Sequence, residues 1–357
     1  MEISLFAAAP FSARAGGHAY ARHLTDGLRA AGHTVRLVAL PGAHPLPDAP
    51  ARAAALAAWA ALPAGNLPVI DGLILPAFAG HGDALAARPA VGLIHHPTAL
   101  DPGHSDSDRA GLRNTELRLL PRLARVVVTS GATAARLAAE FGVDPARIAV
   151  VVPGTDDAVR STGSDRSGAG DPGCAILSVG ALTPRKGHDV LIRALARLFD
   201  LDWRLTVVGP ARDAAHAGAL RALVAALRVE DRVRFAGETD DPTLETLWRE
   251  ADLFALASWW EGYGTAVAEA LKRGLPVAVT SGGSAAALVP PEAGVVCQPG
   301  DIDQLSKALR RVIFDVPLRR EMADAACQAG RTLPAWPAQV AAFADELRKV
   351  AGRPESA

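Results

Sequence analysis

Two carboxylates, Glu261 and Glu269, stand eight residues apart in the stretch 258–283. Gly262, Tyr263, Gly264, Thr265 and Ala266 lie between them, and Gly274-Leu275-Pro276 follows. The stretch reads as loop, helix, turn, strand and loop. Gly262 and Gly264 bend the chain and leave room beside it for a ligand. Helical composition over 265–273 ends at Gly274, where a helix C-terminus expects glycine. On one continuous helix the two glutamates would lie about 12 Å apart, at ~1.5 Å per residue, too far to share a proton. With Glu261 in the loop and Glu269 in the helix, a helix N-terminus falls between them. Its free N–H groups and positive dipole end suit an anion. One elongated ligand satisfies this arrangement, with a phosphate on the helix N-terminus and a hydroxyl-bearing group on each carboxylate. Sugar, diphosphate and ribose in a row, as in a nucleotide-sugar, have that form.

Three further sets of residues could do chemistry. Arg185-Lys186-Gly187 follows the apolar run 174–179 and precedes a helical pattern of Val190, Leu191, Ala194, Leu195 and Leu198. Two cations in a strand-to-helix loop would face a diphosphate and stabilise a leaving group as it gains charge. His95-His96-Pro97 ends the short strand 91–94. Residues at the carboxyl ends of parallel strands line the ligand crevice. Adjacent histidines point in different directions and make a poor metal pair, so no metal is expected. Gly16-Gly17 precedes a helix marked by Tyr20, Leu24, Leu28 and Ala31, and a glycine pair there lets a phosphate or sugar approach the backbone. Trp259 and Trp260 could wall a base or an acceptor, or simply pack.

The elements that must position these residues recur in two halves. Strand 2–7, glycine loop, helix and strand 34–40 make one Rossmann-like start; strand 174–179, basic loop, helix and strand 203–208 make another. The expected fold class is therefore α/β, with two Rossmann-like domains. The first covers 1–157, and a Ser-, Gly-, Asp- and Arg-rich linker covers 158–173. The second covers 174–330. Strand 67–75 carries Asp71 inside an apolar run, where local hydrogen bonding and a ligand-facing role are both open.

The stretch 258–283 resembles the retaining enzymes of glycosyltransferase family 4, which have the GT-B architecture of two parallel sheets facing each other across a cleft. The resemblance rests on the Glu-x7-Glu pattern of Glu261 and Glu269, the Gly274-Leu275-Pro276 strand start, Lys186-Gly187, and Gly16-Gly17 before a helix that ends in Gly32-His33. It implies that Glu261 contacts a donor sugar, Glu269 the ribose, and the backbone of Gly264–Ala266 the diphosphate. It also makes Gly17 a donor contact and places His95, with His96 as fallback, near the sugar and the attacking acceptor. Gly209 and Gly237 become base-site candidates, and the helix 334–351 packs back on the first domain. The implied reaction is front-face transfer with retention, the departing phosphate accepting the acceptor's proton. The donor would be a UDP- or GDP-sugar acting as substrate, without cofactor; the acceptor, whether glycan, lipid or small molecule, is left open. Ala181 departs from the family, which often has arginine there. A sugar-nucleotide epimerase and an inactive transferase-like binding protein are the alternatives.

Composition excludes other classes. A net charge of −1 gives no support for nucleic-acid binding. Three scattered cysteines, Cys174, Cys297 and Cys327, suit a reducing cytoplasm and lack metal spacing. The start Met1-Glu2-Ile3 has no basic n-region, and no apolar run reaches the ~18–20 residues of a membrane span. Arginines 109, 113, 118 and 122 fall on two opposite helix faces, which leaves at most a weak contact with the inner face of a membrane. Asp-x-Asp occurs three times, at 106–108, 200–202 and 301–303, and reads each time as solvated or capping. The Gly-x-Gly-x-x-Gly fingerprint of nicotinamide enzymes is missing after both first strands.

Overall fold

The computed structural model describes residues 1–10, 16–164 and 173–352. The chain divides into two compact units, Met1–Gly154 with Pro334–Ala357, and Thr155–Leu333. Among the described residues each unit holds one six-stranded sheet, and every strand pairing is parallel. Parallel sheets carry helices on both faces, so their strands read as apolar runs, as these do.

In unit 1, β1 (Glu2–Ala8), α1 (Gly16–Ala30), β2 (Thr34–Leu40), α2 (Ala49–Ala60), β3 (Leu67–Asp71), α3 (Gly82–Ala87), β4 (Val91–Ile94), α4 (Asp106–Leu119), β5 (Arg125–Val128), α5 (Gly131–Phe141) and β6 (Ile148–Val150) follow in order. The sheet order is β2-β1-β3-β4-β5-β6. In unit 2 the order along the chain is β7 (Cys174–Val179), α6 (His188–Ala196), β8 (Trp203–Val208), α7 (Ala214–Ala226), β9 (Val233–Gly237), α8 (Asp241–Glu250), β10 (Leu253–Leu256), α9 (Thr265–Lys272), β11 (Val277–Thr280), β12 (Gly294–Cys297), α10 (Ile302–Phe314) and α11 (Val316–Arg331). Its sheet order is β12-β11-β10-β7-β8-β9. The last helix, α12 (Trp336–Ala351), belongs to unit 1 and buries Val340, Phe343, Ala344, Leu347 and Val350 in the core that holds α1.

Strand order reverses between β1 and β3 in unit 1 and between β7 and β10 in unit 2. Loops diverge at such switch points and leave a crevice beyond the carboxyl ends of the strands. Arg185 and Lys186 follow β7, and Glu261 follows β10, so both sides of the unit 2 switch point carry charge.

Some details differ from the reading of the sequence. Strand β3 stops at Asp71, whose Oδ1 accepts the Leu73 N–H at 2.8 Å and turns the chain. Residues Leu75–Phe78 then form a 3₁₀ turn instead of continuing the strand. Part of the linker stretch is bonded into unit 2: Ser161 Oγ donates to Ala251 O at 2.6 Å, and Ser164 Oγ to Asp252 Oδ2 at 2.6 Å. Residues 165–172 of that stretch lie outside the described residues. The Asp-x-Asp pairs do local work. Asp106 and Asp108 sit in the first turn of α4, Asp200 pairs with Arg310, Asp301 caps α10, and Asp303 pairs with Arg197.

Candidate functional site

The unit 2 site is built from three neighbouring loops at the carboxyl ends of β7, β10 and β11. After β7 the chain turns through Pro184–Lys186 to Gly187, at φ +61°. A Cβ on Gly187 would lie 2.0 Å from the Ala257 carbonyl oxygen, so only glycine lets the basic loop press onto the end of β10. The Trp259 N–H donates to Arg185 O at 2.8 Å, and Arg185 Nη1 donates to Trp260 O at 2.6 Å. The β10 loop is stitched in turn to the β11 loop: Glu261 N–H donates to Gly282 O, and Ser284 N–H to Glu261 O. Backbone therefore fixes the loop carrying Glu261 on both sides.

Inside this frame the charged side chains close on one another. Lys186 Nζ donates to Glu261 Oε1 at 2.6 Å, Ser258 Oγ donates to the same oxygen at 2.6 Å, and Arg185 Nη1 lies 3.6 Å from Oε2. Glu261 is 7% exposed. Burial pushes its carboxyl up, but Lys186, Arg185 and the hydrogen bonds from Lys186 and Ser258 outweigh that and hold it at about 2. Burial lowers the Lys186 ammonium, and the Glu261 charge opposes this. The pair is thus a charged, hydrogen-bonded unit.

Gly264, at φ +100°, starts α9, and a Cβ there would meet Ala285 Cβ at 2.7 Å. No side chain among the described residues caps this helix. Gly264 O accepts the Val267 and Ala268 N–H groups, while those of Thr265 and Ala266 make no hydrogen bond among the described residues. They are the free donors that an anion would take. One turn further on, half-buried Glu269 has no hydrogen-bond donor on its carboxylate among the described residues. Burial raises it to about 7; Arg273 opposes, while Asp156 and Glu245 add to the rise. Gly262 is half-buried in the loop and Tyr263 is buried. At the next strands, Gly209 N–H donates to Gly237 O at 2.9 Å, joining the two chain turns beyond β8 and β9.

Two residues of this region escaped the reading of the sequence. His188, fully buried in the first turn of α6, has no hydrogen-bond partner on either ring nitrogen among the described residues. Burial, then the charges of Lys186 and His216, lower its pKa to about 3, with Glu261 opposing, which favours the neutral imidazole. Its signal was a polar residue opening an otherwise apolar helical stripe. Arg212, in the loop after β8, is exposed, and its guanidinium has no hydrogen bond or ion pair among the described residues. Its charge reaches Arg185 and Lys186, with Glu238 as the nearby opposite charge. The two loops meet directly, since Leu182 N–H donates to Pro210 O at 2.9 Å. Trp259 is 44% exposed and its ring packs against Gly300.

In unit 1, Gly16 and Gly17 are the first residues of α1. His95 follows β4, with its Nε2 3.9 Å from Asp71 Oδ2. The Tyr20 ring meets His95 edge-on at 5.1 Å between centroids. Tyr20 itself donates to Val151 O at 3.2 Å. Asp71 reaches His95 because β3 and β4 are neighbours in register, Asp71 opposite Leu93. Of the arginines on 109–122, Arg109, Arg113 and Arg122 are paired with Asp106, Glu140 and Asp83. No helix among the described residues is long and apolar enough to cross a membrane.

Two doubly wound units, one with a buried Lys–Glu–Arg cluster at its switch point, define a protein of the GT-B class. The profile described as Glycosyl transferases group 1 matches residues 164–329, and that of Glycosyltransferase Family 4 matches residues 14–159. The chain belongs to glycosyltransferase family 4. A D-inositol 3-phosphate glycosyltransferase of Corynebacterium glutamicum is 33% identical over 56% of this chain and 51% of its own length. One from Thermomonospora curvata is 32% identical over 60% of this chain and 54% of its own. The chain thus spans about half the length of these curated relatives. Among solved structures, sucrose-phosphate synthase from Thermosynechococcus elongatus superposes with a TM-score of 0.81 at 20% identity, covering 98% of each chain. Anabaena HepE in complex with UDP-glucose gives 0.77 at 21% identity, covering 98% of this chain and 100% of its own. These likenesses establish the fold.

Proposed function

We propose that this chain transfers a sugar from a nucleotide-diphosphate-sugar to an acceptor hydroxyl, with retention of anomeric configuration and without a metal ion. The observation that carries the reading is the buried Glu261, held by Lys186, Arg185 and Ser258 beside the unbonded N–H groups of Thr265 and Ala266. A diphosphate on those N–H groups would draw Lys186 and Arg185 toward its oxygens and free Glu261 to accept hydrogen bonds from sugar hydroxyls. The same cations would then stabilise the nucleoside diphosphate as it leaves. Arg212 adds a third positive charge from the neighbouring loop. Glu269 would accept the ribose hydroxyls, donors of a kind its carboxylate does not find among the described residues. His95 would act on the acceptor side.

UDP is the first nucleotide to test, because HepE is seen with UDP-glucose. D-inositol 3-phosphate is the first acceptor, because the relatives are named for it. GDP and ADP are the alternatives to UDP. The test is calorimetry of the three nucleotides in EDTA on wild type and Glu269→Gln. Micromolar binding of one nucleotide, weakened about ten-fold or more by the substitution, supports the donor site. No binding to folded protein removes the reading. Proton NMR of the product's anomeric signal decides retention, and activity lost in EDTA and restored by magnesium would sink the metal-free part.

A further inference from the structure

The loop that carries His95 and His96 is held by a residue about twenty positions further along the chain. Glu116 lies on α4 between Leu112 and Leu119, on the buried face of the helix, and is only 3% exposed. A carboxylate in such a position is costly unless its oxygens are bonded. Here both oxygens are used: Oε1 accepts the Thr98 N–H at 2.7 Å and the Thr98 hydroxyl at 2.8 Å, and Oε2 accepts the Ala99 N–H at 3.1 Å. Thr98 and Ala99 are themselves buried and open the 3₁₀ turn Thr98–Leu100. Burial raises the Glu116 carboxyl, and the bonds from Thr98 and Ala99, with Arg113 nearby, oppose this.

The other end of the segment is equally fixed. Ile94 is paired in the sheet with Val128, and Gly72 N–H holds Leu93 O at 2.9 Å. Only His95, His96 and Pro97 span the gap between these anchors. Pro97 is extended, at φ −60° and ψ 124°. With both ends tied, three residues have little freedom, so the clamp on Thr98 and Ala99 decides where the two imidazoles stand. A leucine at 116 would suit the apolar face better. The carboxylate is there for the backbone it holds.

We propose that Glu116 is a positioning residue: by fixing the main chain at Thr98 and Ala99 it sets the His95–His96 segment against Asp71 and Tyr20. The effect on turnover rests on the role proposed for His95; the clamp itself does not.

The test uses the full chain as Glu116→Gln and Thr98→Val. In Glu116→Gln the amide nitrogen meets the Ala99 N–H donor to donor, which releases one side of the clamp. Thr98→Val removes only the hydroxyl bond and keeps the shape, and Thr98→Ser should restore wild-type behaviour. Carbon-detected NMR of the imidazole Cε1 signals, assigned with His95→Gln and His96→Gln, should show both signals displaced in Glu116→Gln and less so in Thr98→Val. The His216 signal, in unit 2, should stay in place. UDP affinity should change less than two-fold. Turnover, read as transfer to D-inositol 3-phosphate or as hydrolysis of UDP-glucose, should fall about ten- to a hundred-fold at an unchanged donor KM, the size expected of a displaced reacting group. If both variants fold and leave the His95 and His96 signals in place, the clamp is wrong. If the signals move and turnover does not, Glu116 has no positioning role in the reaction. If His95→Gln also turns over like wild type, the role given to His95 has failed and the clamp stands.

Discussion

The chemistry-bearing groups of the two units are held in place in opposite ways. In unit 2 they hold one another: Lys186, Arg185, Ser258 and Glu261 form one buried cluster from loops that meet at the switch point. In unit 1 the groups around His95 lie outside any motif: Asp71 Oδ2 is 3.9 Å from its Nε2, the Tyr20 ring meets it edge-on, and Glu116 bonds the backbone three residues on at Thr98. A self-held cluster ties stability to the same atoms that are proposed to bind the donor. Removing Lys186 takes the directly bonded opposite charge from buried Glu261, and breaking a buried pair costs about 3–5 kcal/mol. A group held from outside can lose its chemistry with little cost to the fold. Substitutions should separate the two units on this criterion.

Lys186→Met tests the unit 2 side most severely. It leaves the buried Glu261 carboxylate with only Ser258 and the more distant Arg185, so it should lower the melting temperature and reduce transfer on the order of 10²–10³-fold or more, the scale of losing an electrostatic stabiliser. A normally stable Lys186→Met protein would show that the cluster is not self-held. His95→Gln should be the converse. Transfer should fall about a hundred-fold through lost positioning of the reacting groups, while melting and UDP affinity stay at wild-type values. A parallel loss of UDP affinity would place His95 with the donor instead.

Arg212→Gln should weaken UDP about three- to ten-fold and leave uridine binding unchanged, as expected for one partly solvated cation facing a phosphate. Equal losses for both ligands would show that the loop is a base contact or a structural element.

The smallest effect concerns the two glutamates, whose surroundings push them in opposite directions, Glu261 to about 2 and Glu269 to about 7. For Glu269 the folded-state value lies above the ordinary 4.5. The folded chain therefore keeps a proton that the unfolded chain has released, and stability falls as pH rises through this window. Glu269→Gln should raise the melting temperature by about 2–4 °C at pH 8 and have little effect at pH 4.5. For Glu261 the value is depressed, so its contribution is present above pH 4.5 and is lost as pH falls toward 2. A Glu269→Gln protein that melts like wild type at pH 8 would show that the carboxylate is well solvated.

How much of this was legible follows from sequence distance and period. The strands of both sheets could be read because buried parallel strands are apolar runs bounded by glycine and proline. Strand β3 was read too long because Leu73, Ile74 and Leu75 continue its apolar run, while the turn is made by one Asp71 side-chain bond that composition does not display. The cluster of Arg185, Lys186 and Glu261 could be anticipated in residue type, since each lies in a short loop next to glycine. Arg212 looked like any exposed arginine at a helix start. Glu116 carries one faint signal: a glutamate between Leu112 and Leu119 at helical spacing interrupts a buried stripe.

The sequence by itself determined the α/β alternation, the two halves, the family, and the residue types able to meet a sugar and a diphosphate. All of these are set by local period, by glycine and proline placement, and by spacings within one loop–helix segment. Only the tertiary structure decided that Glu261 is paired with Lys186, that Glu269 has no donor among the described residues, that His188 is buried with its pKa lowered, and that Glu116 bonds the backbone just after His95 and His96. Those outcomes depend on which strands are neighbours and on how far each group is withdrawn from water. Protonation and pairing follow local dielectric and distance, and neither is written in the order of residues along the chain.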